Sequence, residues 1–171
     1  MKPIIVTSII CLSLIALSNC NSATDPYIGD LDSAQVSHAV PSVQMYYYIK
    51  KYSDIYEIPT EYAFSLAYHE SRYQGPYHFD YNHKLSSKSG ALGPMQILPS
   101  TARAVYQKPI SSQQLKSDIR LNILISMMLL RRLHNKYNDW MLAFGAYNTG
   151  RPIRNQYARN IIQRKYIWKA E

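Results

Sequence analysis

Beyond residue 20 the sequence contains no cysteine; the two it has are Cys11 and Cys20. A folded part without thiols has no disulfide, no cysteine nucleophile and no cysteine-ligated zinc, so packing alone must hold it together. Glycine and proline are sparse, 6 and 9 residues in 171, which excludes collagen-like and low-complexity chains. Phenylalanine is scarcer still, 3 residues against 16 tyrosines. Rings that carry a hydroxyl suit walls facing a polar ligand, and a role of that kind is expected of them. No alternating strand pattern and no repeat is present. His78 and His83 flank Asp80 without a dense ligand pattern, so neither a metal nor a cofactor is expected. What remains, 47% hydrophobic and 18% charged residues, is the composition of one globular domain.

The N-terminus reads as an export signal. Met1 and Lys2 make a short positive end, and the apolar run 4–17 is too short and too abruptly ended for a comfortable membrane span. The run meets Leu17-Ser18-Asn19-Cys20, which resembles a bacterial lipobox, with Asn19 where a small residue is usual. On that resemblance residues 1–19 are a lipoprotein signal peptide, Cys20 is the lipidated first mature residue, and the protein is held in the periplasm by its lipid, at the outer membrane. Plain secretion or an uncleaved anchor is the alternative.

Acidic residues are few and unevenly placed. Residues 20–42 contain Asp25, Asp30 and Asp32 and no Lys or Arg, and read as an acidic tether. From residue 43 onward 18 basic residues face 8 acidic ones, a surplus of +10, concentrated towards the end in Arg151, Arg154, Arg159, Arg164, Lys165 and Lys169. A basic domain in the cytoplasm would suggest nucleic acid. Outside it the abundant anions are lipid head groups and wall polymers, so no nucleic acid partner is expected; a solvated basic face is the simpler alternative.

Residues 43–171 are expected to form one mainly helical domain. Val43 to Tyr56 has helical spacing with Ser42 as its cap, and Thr60 caps a second helix on which Ala63, Leu66, Ala67 and Glu70 share a stripe. Residues 74–93 carry Gly75-Pro76 and a Ser/Lys/Gly cluster, and read as an irregular lobe. A short helix runs from Pro99 to Tyr106. The strongest helix, from Ser117 or Asp118 to about Tyr137, is apolar nearly all round and therefore central. Asn138-Asp139 starts another helix, Trp140 to Tyr147, which ends at Gly150, and a basic helix follows Pro152.

Four strings carry the chemistry: His69-Glu70-Ser71-Arg72-Tyr73; Gly90 to Gln96 (GALGPMQ) continuing to Pro99-Ser100-Thr101-Ala102; Asp118-Ile119-Arg120-Leu121-Asn122-Ile123; and Ala146-Tyr147-Asn148-Thr149-Gly150. In this order they resemble the soluble lytic transglycosylases of the lysozyme-like superfamily, over roughly residues 53–162. The resemblance implies a lysozyme-like helical domain of the goose-type/SLT class with an irregular loop lobe. It also implies Glu70 as catalytic acid/base, and Ser87, Met95, Gln96, Tyr147, Asn148 and Tyr157 as substrate-binding residues. Pro94 and Thr149 replace the usual Leu and Ala, Ser126 and Leu129 stand where Gly and Tyr are common, and the stretch between Glu70 and Gly93 is longer than usual.

The implied reaction cleaves the β-1,4 bond between N-acetylmuramic acid and N-acetylglucosamine in peptidoglycan glycan strands, leaving a 1,6-anhydro sugar. An ordinary glycosidase needs two carboxylates. Ring closure within the substrate needs one, because a sugar hydroxyl is the nucleophile. That acid must be protonated near neutral pH, so an apolar setting is expected for Glu70, supplied by Met95 and the Tyr147 ring. Two alternatives stay open: a lysozyme-type hydrolase using Asp80 as second carboxylate, and a non-catalytic peptidoglycan-binding lipoprotein. The membrane, through Cys20, and an envelope-spanning or secretion complex are the further candidate partners.

Overall fold

A computed structural model describes residues 33–164. The signal peptide, Cys20 and most of the expected tether lie outside the described residues. Within them the chain forms α1 (Ser33–His38), α2 (Pro41–Ile55), α3 (Thr60–Ser71), α4 (Pro99–Tyr106), α5 (Ser112–Ser117), α6 (Ile119–Tyr137), α7 (Trp140–Thr149) and α8 (Gln156–Gln163). No strand occurs among the described residues; Ser86, Leu92 and Ile97 make only isolated antiparallel bridges.

As its composition requires, α6 is the axle. Ile119, Ile123, Ile125, Met127 and Leu130 are buried, and α2, α4, α5 and α7 pack around the helix. Asp118 caps it, its Oδ1 accepting from the Leu121 N–H at 2.9 Å. Asp139 caps α7 through the N–H groups of Met141 (2.7 Å) and Leu142 (3.2 Å), and Gly150 ends that helix at φ +74°. Each of these termini was legible as a side-chain acceptor or a left-handed glycine.

Other termini differ from expectation. Ser42 does not cap α2: the helix starts at Pro41, two residues before the expected Val43, and the buried Ser42 hydroxyl donates to the Pro76 carbonyl at 2.8 Å. Thr60 does not cap α3 either, because Pro59 occupies the cap position and makes no side-chain bond. Helix α5 was not anticipated, although Ser111 and Gln114 form a reciprocal capping box that the sequence displays. The expected tether is also too long. Ser33–His38 is helical and Val36 is fully buried against the core, so folded chain begins before residue 43.

The irregular lobe between α3 and α4 is anchored by tyrosines. The buried Tyr73 donates its hydroxyl to the Ser42 carbonyl (2.7 Å), and the Tyr81 and Ser71 hydroxyls share a bond of 2.6 Å. Tyr46, Tyr48 and Tyr52 are buried as well. These five tyrosines serve the interior, where a ring fills volume and, at Tyr73 and Tyr81, the hydroxyl finds a partner; they do not line a ligand wall as expected.

Candidate active site

Glu70 occupies the last turn of α3, on the stripe it shares with Ala63, Leu66 and Ala67, and points into a cleft of about 200 Å³. The cleft is walled by the lobe (Ser87, Ser89, Ala91, Gln96, Ile97), by the start of α4 (Leu98, Thr101), by Leu129 of α6, and by Tyr147 and Asn148 of α7. Burial pushes the Glu70 carboxyl up to about 7, and a hydrogen bond from Tyr157 partly opposes that shift. The group is thus poised to give and recover a proton near neutrality.

Of the anticipated residues, Ser87, Gln96, Tyr147 and Asn148 meet around Glu70. The Ser87 hydroxyl closes its own loop, accepting from the Ala91 N–H at 3.0 Å and sharing a bond of 2.9 Å with Ser89. Gln96, at φ +49°, donates through Nε2 to the Gly93 carbonyl at 2.7 Å. Tyr147 presents its ring to the cleft, while its hydroxyl donates to the Met95 carbonyl at 2.8 Å and so is committed within the chain.

Two of the anticipated substrate contacts are placed otherwise. The Met95 side chain is fully buried and absent from the cleft wall. Its part is played by its backbone, whose N–H donates to Asn122 Oδ1 at 2.9 Å. Tyr157, on α8, donates its hydroxyl to Glu70 Oε1 and packs its ring edge against His69, so it holds the acid. The cleft wall beside Glu70 holds Leu129 and Ile97 as apolar members, together with the expected Tyr147 ring.

Asp80, the candidate second carboxylate, does not line the cleft. Its side chain is 92% exposed and pairs with His78 Nε2 at 3.3 Å. Among the described residues no three His, Cys, Asp or Glu side chains gather as a metal site.

Two positions that the reading did not assign shape the cleft. Asn122 is fully buried on α6, and its Nδ2 donates to the carbonyls of Leu92 (3.0 Å) and Leu115 (2.9 Å). With the Met95 bond it fastens the Gly93-to-Gln96 turn, and a Cβ at Gly93 would lie 2.4 Å from that Nδ2. On α7, Gly145 lets the chain before α8 pass, since a Cβ there would stand 1.8 Å from the Ile153 carbonyl oxygen. Asn122 stood in a quoted string; Gly145 lay one residue before another.

Comparison with known proteins agrees with this geometry. The chain is 29% identical to the 70-kDa soluble lytic transglycosylase SLT70 of Escherichia coli and to a 70-kDa soluble lytic transglycosylase in complex with bulgecin A, each over 67% of this chain and 18% of that one, with a TM-score of 0.53. It is 26% identical to an inactive mutant of the lytic transglycosylase Slt from Pseudomonas aeruginosa, over 60% of this chain and 16% of that one, with a TM-score of 0.50. The chain therefore spans less than a fifth of the length of these relatives. No curated protein matches. Residues 47–167 match the family described as the transglycosylase SLT domain, and with Glu70 and its cleft set in the fold those relatives share, the chain belongs to that family.

Proposed function

We propose that this protein is a peptidoglycan lytic transglycosylase. The observation that carries the reading is a single carboxylic acid, Glu70, in a cleft that no other described Asp or Glu lines, with its pKa pushed up to about 7 by burial. One acid without a second carboxylate suits ring closure within the substrate better than hydrolysis. Glu70 protonates the glycosidic oxygen as the bond to muramic acid C1 breaks, and N-acetylglucosamine leaves with a free hydroxyl. The Glu70 carboxylate then takes the proton from the muramic acid 6-hydroxyl as its oxygen attacks C1, closing the 1,6-anhydro ring and restoring the acid. No water is consumed.

Tyr157 orients the carboxylate, while Gln96, Asn148 and Ser87 lie where sugar hydroxyls and N-acetyl groups would pass. The non-catalytic alternative is disfavoured by the same acid: a binding protein gains nothing from a carboxyl buried against its own hydration. Family membership and the signal-like N-terminus together support a periplasmic enzyme tethered to the outer membrane through Cys20. Mass spectrometry of digested sacculi tests the reaction. Fragments ending in 1,6-anhydro-muramic acid, lighter by one water than reducing ends, are expected. Reducing ends alone would mean hydrolysis and overturn the mechanism.

A further inference from the structure

Phenylalanine is rare in this chain, and two of its three copies, Phe64 and Phe144, are buried in the core. The third, Phe79, is 67% exposed in the irregular lobe. Tyr77 beside it is 51% exposed, and the two rings meet edge to face with centroids 6.3 Å apart. Val40, at the cap position of α2, is 43% exposed. It belongs to the same face, because the hydroxyl of Ser42, two residues on, donates to the carbonyl of Pro76, which precedes Tyr77. The turn that carries the rings is fastened. Tyr81 at its far side shares a bond with the Ser71 hydroxyl, and the N–H groups of His78, Phe79 and Tyr81 turn back onto the carbonyls of Gly75, Tyr77 and His78. Asp80, the acid of the turn, is paired with His78. An aromatic pair with a flanking valine on a fastened turn is a patch, unlike the single exposed hydrophobics that any surface carries.

This face is also where the N-terminal segment joins the domain. Gln44 Nε2 donates to the Ala39 carbonyl at 2.7 Å, fastening the turn after α1 against α2. Cys20 stands thirteen residues before Ser33, the first described residue, and that much chain spans at most about 45 Å. A lipid on Cys20 therefore puts a membrane within reach of this end of the domain. Attachment through one residue fixes a distance and not an orientation.

We propose that Val40, Tyr77 and Phe79 form a membrane-contact patch, which seats in the lipid surface to which Cys20 is attached and so orients the domain on it. The proposal rests on the reading of Cys20 as a lipidated residue. Aromatic rings suit the head-group boundary, where their apolar bodies enter the acyl chains while a hydroxyl such as that of Tyr77 stays hydrated. A glycan strand fits less well: sugar hydroxyls need polar partners, whereas Phe79 and Val40 offer no polar side-chain atom and Asp80 is engaged with His78. Ser71, which fastens the turn, follows Glu70 directly, so seating the patch also fixes the catalytic end of α3 relative to the lipid.

The test uses the full chain purified from membranes and reconstituted in vesicles of phosphatidylethanolamine and phosphatidylglycerol. In Phe79→Trp, the emission added over that of Trp140 and Trp168 is expected to fall by about half or more with brominated acyl chains and to resist aqueous acrylamide, at low and high salt alike. Quenching by acrylamide without quenching by bromolipid overturns the patch. The double variant Tyr77→Ser/Phe79→Ser alters two exposed positions outside the cleft and should keep the wild-type rate on soluble glycan strands. Weaker binding of those strands by the double variant would identify a glycan platform, and a wild-type dimer that the variant loses would identify self-association; either overturns the assignment to lipid. If a fatty-acid probe leaves the chain unlabelled, the anchor reading fails separately and sedimentation with the same vesicles decides. Binding that the double variant loses by roughly tenfold or more supports the patch, and no binding by the wild type overturns it.

Discussion

Glu70 combines an apolar setting that keeps it protonated with a hydrogen bond that favours its ionised form. Glu70→Gln keeps the shape and loses the proton, so activity on sacculi should fall at least 100-fold; a variant retaining more than about 1% of the rate would contradict the acid/base role. The same substitution should alter stability with a definite sign. The folded pKa, about 7, lies above the ordinary carboxyl value, so folding is unpenalised at low pH and loses stability as pH rises through the folded value. Glutamine carries no such penalty. Thermal melts should therefore coincide near pH 4 and separate above pH 8, with Glu70→Gln the more stable by an order of roughly 3 kcal/mol. Tyr157→Phe removes the bond that lowers the Glu70 pKa, so the alkaline fall in the pH–rate profile should move to higher pH, with a rate loss of roughly tenfold from the unoriented carboxylate. A profile that stays in place would mean that the Tyr157 hydroxyl does not act on the acid.

Helices α6 and α7 carry the devices that give the cleft its form. Asn122, in the middle of a hydrophobic helix, is a buried polar group with all of its named bonds directed at the lobe and at α5. Asn122→Ala should cost about 2–4 kcal/mol, because the Met95 N–H and the Leu92 and Leu115 carbonyls are left with fewer partners; calorimetric unfolding measures it. At Gly145→Ala the added methyl would overlap the Ile153 carbonyl, so the chain leading into α8 must move and carry Tyr157 away from Glu70. The expected signature is a kcat loss of tenfold or more with the helical circular dichroism retained, since misplacement at a reacting group is felt more strongly than the loss of one contact. The helix periods, the caps at Asp118 and Asp139 and the stop at Gly150 were legible because each is a local matter of facing or of an adjacent acceptor. Ser42 and Thr60 misled as caps: an upstream proline or valine took the cap position in each case, and for Ser42 a loop 34 residues away claimed the hydroxyl.

Across the molecule, a domain with a surplus of +10 beyond residue 42 would, on the proposed function, meet a polymer that carries carboxylates and phosphates, so retention on sacculi should weaken as salt is raised. No helix among the described residues is long and apolar enough to cross a membrane, and the proposed anchor at Cys20 has its own test. A fatty-acid probe should mark the wild type and leave Cys20→Ala unmarked; equal labelling of both would remove the lipid anchor from the proposal. By itself the sequence determined the helical class, the central position of α6 and the place of Glu70 on an inward stripe, because periodicity and neighbouring residues suffice for those. The tertiary structure alone decided that Val36 belongs to the core, that Met95 contributes backbone and not side chain, and that Asp80 faces solvent. It also alone brought Tyr157 onto Glu70 from 87 residues away and set Arg164 over Tyr68. Such pairings depend on how α3 and α8 cross, and the crossing is set by side-chain volumes and close approaches such as that at Gly145, which no local pattern encodes.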